Sequence, residues 1–332
     1  MQRQITFGGG VSPRSTRLRG QSIIEYVLII AVIGLVIVFA GPGVAGAIRN
    51  QFSQVTNTVD CGTDGDNFIS AEEKAYREAM KTITAKEAKD WTLAEQKAAA
   101  TDIAKNGTSS VVYAKAEAAM DAGTTWSVKL TNGQTMTYRI IGINHDDLAD
   151  GSGKAGLTFM DIGVAMGRHR MNATDTYSGG WEKSELREKM NSGEVWNLLP
   201  SDFQSKIKPV TKMTNNIGGG RSNKDAAVTA TSDKLFLLSY SEIVETPKSV
   251  WSEYSWIGNE GAQYEAFKGK VTNNNGHNDY FDYGGDGFWE RTCWNAGTDR
   301  EIPSFLKCGG GGDPAECYRA SLSAPIWPSF CF

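Results

Sequence analysis

The chain opens on a polar, basic stretch and then turns apolar: from Tyr26 to Ile48 no residue is charged. Read as a helix, that run is roughly 35 Å long at ~1.5 Å per residue, enough for a bilayer core of ~30 Å. Gly41-Pro42-Gly43 interrupts it. Proline removes a helical hydrogen bond and glycine loosens the backbone, so the run either ends there or breaks locally to let neighbours stack. Residues 50–69 are polar and turn-rich. Residues 71–122 are rich in Ala, Lys and Glu. There Ser70-x-x-Glu73, Thr84-x-x-Glu87 and Thr92-x-x-Glu95 predict helix starts, and Asn106-Gly107 a stop.

At Thr125 the period changes to two. Trp126, Val128 and Leu130 alternate with polar residues, Asn132-Gly133 follows, and Met136, Tyr138 and Ile140 alternate again. This pattern predicts a hairpin with a tight turn. Further strands are expected around 156–166, 207–213, 234–239 and 286–294, and short helices around 182–191, 201–206 and 261–268. The mixed order without regular β-α alternation predicts an α+β fold. The expected organisation is a leader over 1–20, a long hydrophobic helix over 21–49, a helical stalk or collar over 50–124, and an α+β head over 125–332.

The formal charge of −4 disfavours nonspecific nucleic-acid binding, which is driven by cationic counterion release. Arg3, Arg14, Arg17 and Arg19 crowd the leader, so the positive-inside bias keeps residues 1–20 cytoplasmic and sends the body across the membrane. Three readings compete for the apolar run. A secretory signal peptide would use Ala45-Gly46-Ala47 as a small-x-small cleavage site. A permanent anchor and a type IV prepilin are the others. Glu25 discriminates, because a carboxylate entering hydrocarbon costs about 2.5 kcal/mol or more, and only the prepilin gains from it.

Gly20-Gln21-Ser22-Ile23-Ile24-Glu25-Tyr26, followed by the apolar run, resembles the Flp (tight-adherence, Tad) branch of type IV pilins. The resemblance covers residues 20–48. It implies cleavage by a prepilin peptidase after Gly20, Gln21 as the new N-terminus, and Glu25 with Tyr26 at the assembly position. A buried Glu25 carboxylate would pair with the amine of a neighbouring identical subunit. The family further implies the pilus assembly machinery as partner, the inner membrane before assembly and an extracellular filament after it. Typical members are very short, and this chain continues far beyond the shared segment.

A second resemblance rests on Trp181-Glu-Lys-Ser184-Glu-Leu186-Arg187, Leu199-Pro200, Ile207-Lys208-Pro209-Val210, Asp233 to Ser239, Phe288-Trp289-Glu290-Arg291 and the closing Ala324-Pro325 to Phe332. This part is similar to an uncharacterised domain family of bacterial surface proteins, with a pattern like the lectin-like fold of formylglycine-generating enzymes. It implies no known activity. A displayed head of that kind makes a host or matrix glycan a candidate partner.

Cys293, Cys308, Cys317 and Cys331 cluster near the C-terminal end, after an export-type segment, which predicts a disulfide-braced C-terminus. Cys308–Cys317 and Cys293–Cys331 are the favoured pairs, leaving Cys61 odd. Asp64, Asp66 and Glu73 sit at calcium-loop spacing, but Gly62 stands where the first ligand belongs, and a capping role for Ser70 and Glu73 explains the same residues. No other cofactor is expected.

No catalytic constellation is present, and the reading is of a protein that is not an enzyme. His145, His169 and His277 lack helical metal spacing. The acidic loops at Asp146, Asp147 and Asp150, and at Asp279, Asp282 and Asp286, have the residues to hold calcium but read first as solvated faces. Trp251, Tyr254, Trp256, Tyr264, Tyr280, Tyr283, Trp289 and Trp294 concentrate aromatics that are either core or, if exposed, a binding surface.

Overall fold

The computed structural model describes residues 70–216, 224–245, 254–271, 287–296 and 302–332. The chain divides into two units, Met1–Val59 and Asp60–Phe332, and every described residue belongs to the second.

The helices are α1 (Ala71–Ile83), α2 (Leu93–Asn106), α3 (Tyr113–Asp121), α4 (Glu185–Asn191), α5 (Ser201–Gln204), α6 (Tyr240–Ile243) and α7 (Ser255–Asn259). The strands are β1 (Thr125–Lys129), β2 (Thr135–Ile143), β3 (Leu157–Asp161), β4 (Arg168–His169), β5 (Val210–Thr214), β6 (Thr229–Asp233), β7 (Phe288–Ala296), β8 (Ile302–Cys308), β9 (Glu316–Arg319), β10 (Ala324–Pro325) and β11 (Ser329–Cys331). Helix and sheet are mixed among the described residues.

Local chemistry explains the starts and stops. α1 begins at Ser70, whose hydroxyl accepts from Glu73 N at 3.0 Å. α2 begins with a full capping box: Thr92 N donates to Glu95 Oε2 at 2.8 Å while Glu95 N donates to Thr92 Oγ1. It ends on Gly107 at φ 56°, the left-handed cap that glycine tolerates. Thr84 begins no helix; it terminates α1.

β1 and β2 form the expected hairpin, with Trp126 opposite Tyr138 and Val128 opposite Met136. β3 adds to β2, and β11 adds to β3, giving the antiparallel order β1-β2-β3-β11. β5 pairs with β6, β10 with β4, and β7, β8 and β9 form a three-stranded sheet. Residues 234–239 do not form the expected strand. Residues 235–239 run buried between β6 and α6, and Phe236 exchanges backbone bonds with Ser329 of β11.

One hydrophobic core serves both helices and sheet, joining Ile83, Trp91 and Ile103 to Trp126, Tyr138, Phe159, Phe203 and Phe330. The Tyr138 ring lies 5.6 Å from Phe159, 5.5 Å from Phe203 and 5.4 Å from Phe330, all edge to face. Burying each such ring stabilises by about 1.5–3 kcal/mol. The polar tips are satisfied: Tyr138 OH donates to Gln96 Oε1, and Trp126 Nε1 donates to Ala88 O. α2 approaches the start of β3 so closely that a Cβ on Gly156 would lie 1.8 Å from Ala100 O.

Two expectations are corrected. Among the described residues no helix is long and apolar enough to cross a membrane. The helices that are described are short, and the segment expected as a long hydrophobic helix, 21–49, lies outside the described residues. The disulfide-braced C-terminus is also overturned, since no two of Cys293, Cys308, Cys317 and Cys331 form a disulfide. In the β8–β9 register Leu306 faces Cys317 and Lys307 faces Glu316, so Cys308 stands diagonal to Cys317. Diagonal neighbours sit about 7–8 Å apart, beyond ordinary disulfide reach. Cys293 and Cys331 belong to different sheets: Cys293 faces Phe305, and Cys331 faces Thr158.

Candidate functional site

The strand β5 places its side chains alternately, and the third of them, Lys212, points inward with Val210 and Thr214. A lysine in that position needs partners, because burying a lone ammonium costs several kcal/mol. Lys212 Nζ lies 2.6 Å from Asp146 Oδ1 and 2.6 Å from Glu242 Oε1, and 3.0 Å from Tyr264 OH. Asp146 comes from the loop after β2, held by Thr158 Oγ1 of β3, which donates to its Oδ2 at 2.6 Å. Glu242 sits in the first turn of α6 and completes a capping box with Ser239, accepting from Ser239 N at 3.0 Å.

The ladder continues through Arg291 of β7. Its Nη1 donates to Glu242 Oε2 at 2.5 Å, its Nε to Thr214 Oγ1, and its Nη2 to Glu260 O at 2.7 Å. The Glu260 carboxylate accepts from Asn215 N at 2.9 Å and Thr292 Oγ1 at 2.6 Å. Asp146, Lys212, Glu242, Glu260 and Arg291 are all buried.

Burial pushes the Asp146 carboxyl up, but the Lys212 ammonium outweighs it, with help from His145 and Thr158, and holds it well below the usual range. Burial likewise opposes ionised Glu242, and Arg291 and Lys212 win, so it stays lowered. Lys212 shows the mirror image: desolvation opposes the ammonium, and Asp146 and Glu242 raise its pKa overall. Glu260 differs. Burial dominates there and lifts it to about 7, although Arg291, Thr292 and Asn215 pull the other way.

Above this ladder is a cavity of about 350 Å³. Its wall carries five carboxyl side chains (Asp146, Asp147, Glu242, Glu260, Glu265) and two lysines (Lys212, Lys268). His145 stacks on the Tyr264 ring at 3.9 Å, and its Nδ1 is 3.2 Å from Glu265 Oε2. Gly142 permits this stack, since a Cβ there would meet the Tyr264 ring at 2.7 Å. Neighbouring Asn144 holds φ 50°, the left-handed region, and its carboxamide nitrogen donates to Ile103 O at 3.2 Å.

The sequence singled out His145, Asp146 and Asp147 but read them as a solvated loop; Asp146 is instead at the centre of the ladder. It missed Lys212, Glu242, Glu260 and Arg291. Two signals were present: a lysine at an inward position of an alternating strand, and the Ser239-x-x-Glu242 capping spacing. His169 is elsewhere, its Nε2 3.1 Å from Met166 O, and His277 lies outside the described residues.

Of the aromatic cluster, Tyr254, Trp256, Tyr264, Trp289 and Trp294 are buried core. Trp251, Tyr280 and Tyr283 lie outside the described residues, as do Gly20, Gln21, Glu25, Tyr26, Cys61, Asp64, Asp66, Asp279, Asp282 and Asp286. Glu73 donates its backbone N–H to the cap Ser70 of α1, and its carboxylate pairs with Arg77 at 2.8 Å. Among the described residues no group of three or more His, Cys, Asp and Glu side chains is arranged to hold a metal ion.

A family model described as a domain of unknown function (DUF6273) matches residues 157–310, less than half of the chain. The match contains Lys212, Glu242, Glu260 and Arg291; Asp146, β11 and the segment 20–48 fall outside it. No curated protein and no solved structure is similar to the chain.

Proposed function

We propose that the chain is a pilin-like structural subunit, processed after Gly20 and assembled into an extracellular filament that displays the described α+β body. One observation carries this reading: Glu25, five residues after Gly20, is the only charge between Arg19 and Arg49. A lone carboxylate at the head of an apolar run is costly unless a cation meets it, and the amine freed on Gln21 of a neighbouring subunit is such a cation. The body suits carriage on a fibre, because its helices and its first sheet share one core and so move together.

N-terminal mass spectrometry of the protein from its native cell tests the reading. A mature chain beginning at Gln21 is expected, in material that sediments as filaments. A chain beginning at Ile48, released as a soluble species, overturns it in favour of a secreted protein.

A further inference from the structure

Lys212 and Asp146 are placed as an amine and an acid are before they condense. Lys212 Nζ is 2.6 Å from Asp146 Oδ1. A carboxyl C–O bond is about 1.2 Å, so Nζ lies within about 4 Å of Asp146 Cγ, close to the near-attack separation of about 3–3.5 Å. The neighbouring groups match the needs of an acyl transfer. Asp146 Oδ2 accepts from Thr158 Oγ1 at 2.6 Å and lies 2.9 Å from Tyr264 OH, so two donors meet the oxygen on which charge grows as Cγ turns tetrahedral. Glu242 Oε1 is also 2.6 Å from Nζ, within reach of its protons, and Arg291 on Oε2 keeps that carboxylate ionised. The Phe236 ring, its centroid 4.2 Å from Nζ, and the Tyr264 ring at 5.4 Å hold bulk water off the nitrogen. Asp146, Lys212 and Glu242 all line the cavity, which gives a released water its exit.

We propose that Lys212 and Asp146 condense autocatalytically into an isopeptide bond between Nζ and Cγ, with Glu242 carrying the protons. Glu242 takes one proton from the ammonium, the freed lone pair attacks Cγ, and Oδ2 bears the charge of the tetrahedral intermediate. Glu242 passes that proton to Oδ1, a second proton follows from nitrogen by the same route, and the Cγ–Oδ1 bond breaks to release water. The ammonium supplies both hydrogens of that water and Asp146 its oxygen. Glu242 ends ionised as it began, and no oxidant or co-reactant is consumed. Condensation removes one buried charge of each sign and so relieves the desolvation that both ions bear. The inference stands apart from the filament reading, which the mature N-terminus decides by itself.

Intact-mass spectrometry of the purified full chain under denaturing conditions is the test. A mass lower by one water than the sequence requires is expected. Tandem spectra of a tryptic digest should contain one branched peptide joining Lys212 to Asp146, with no cleavage after Lys212. Lys212→Arg and Asp146→Ala should each restore the full mass. Glu242→Gln leaves the reacting pair in place, and its condensed fraction after a fixed time should be at least about tenfold lower, with circular dichroism showing a native fold.

Wild-type protein at its full mass overturns the proposal, whether or not the variants fold. So does a lost water that maps elsewhere, for example to a succinimide at Asp150-Gly151. A branched peptide joining Lys212 to Glu242 overturns the choice of Asp146 as the acid, and undiminished condensation in folded Glu242→Gln overturns the role of Glu242.

Discussion

Lys212 Nζ sits 2.6 Å from Asp146 Oδ1, and both side chains are almost fully shielded from water. The pair ties the loop after β2 to β5, two segments with no strand pairing between Asp146 and Lys212 themselves. Lys212→Met removes the cation shared by Asp146 and Glu242 and leaves two buried carboxylates with less compensation. A loss of about 3–5 kcal/mol of stability is expected. Urea unfolding followed by far-ultraviolet circular dichroism measures it; a loss under 1 kcal/mol would show that water or relaxation replaces the lysine.

Gly156 marks the closest approach of α2 to the sheet. Alanine there would bring a methyl group to 1.8 Å from Ala100 O, so backbone must move. Overpacking of this kind costs about 1–3 kcal/mol when side chains can yield, and here the neighbour is a carbonyl. Gly156→Ala should cost about 3 kcal/mol or more. The thermal midpoint of Gly258→Ala, a position with open space and no positive φ, gives the comparison. A Gly156 variant no less stable than the Gly258 variant contradicts the close approach.

Two buried acids give the fold opposite pH slopes. At Glu95, burial opposes the charged form, but Lys86, Thr82 and Thr92 outweigh it and hold the carboxyl at about 2. A depressed folded pKa contributes stability that is present above the unfolded value near 4.5 and lost as pH falls towards 2. Glu260, raised by burial to about 7, works the other way. The folded state holds its proton longer than the unfolded chain, so stability falls as pH rises from about 4.5 to 7, by about 3 kcal/mol for this group. Glu260→Gln should abolish that decline while keeping the loss below pH 4. Parallel denaturant titrations of the two proteins between pH 4 and 8 read the difference; matching slopes would mean that burial leaves the Glu260 pKa where it stands in the unfolded chain.

On the filament reading, Glu25→Ala should leave cleavage after Gly20 intact and reduce filament yield at least tenfold. The freed amine of Gln21 then lacks its partner. Electron microscopy of sheared surface material, with mass spectrometry of the retained subunit, separates assembly from processing. Filaments at wild-type yield would dissociate Glu25 from assembly.

The features legible in the sequence were the local ones. The alternation from Trp126 to Ile140 around Asn132-Gly133 is a period and a turn, and both lie within a few residues of each other. Thr92 and Glu95 announce α2 by spacing alone. Thr84 and Glu87 show the same spacing, but Thr84 instead closes α1.

The buried ladder was illegible for the complementary reason. Asp146, Lys212, Glu242 and Arg291 are distant along the chain, and each one alone reads as a surface charge. The cysteines misled similarly. Their clustering suggests bridges, but register decides distance, and Cys308 misses Cys317 by two places.

The place of β11 in the first sheet bears on how the protein is made. β3 must wait for Ser329–Cys331 before its second edge is covered, and Phe236 and Lys208 wait for the same strand. A ribosome-bound chain that has not yet released Cys331 therefore exposes an unpaired apolar edge, open to other chains. Sheet closure therefore follows chain order, and whatever escorts the nascent chain must keep that edge apart from its neighbours until synthesis has passed it.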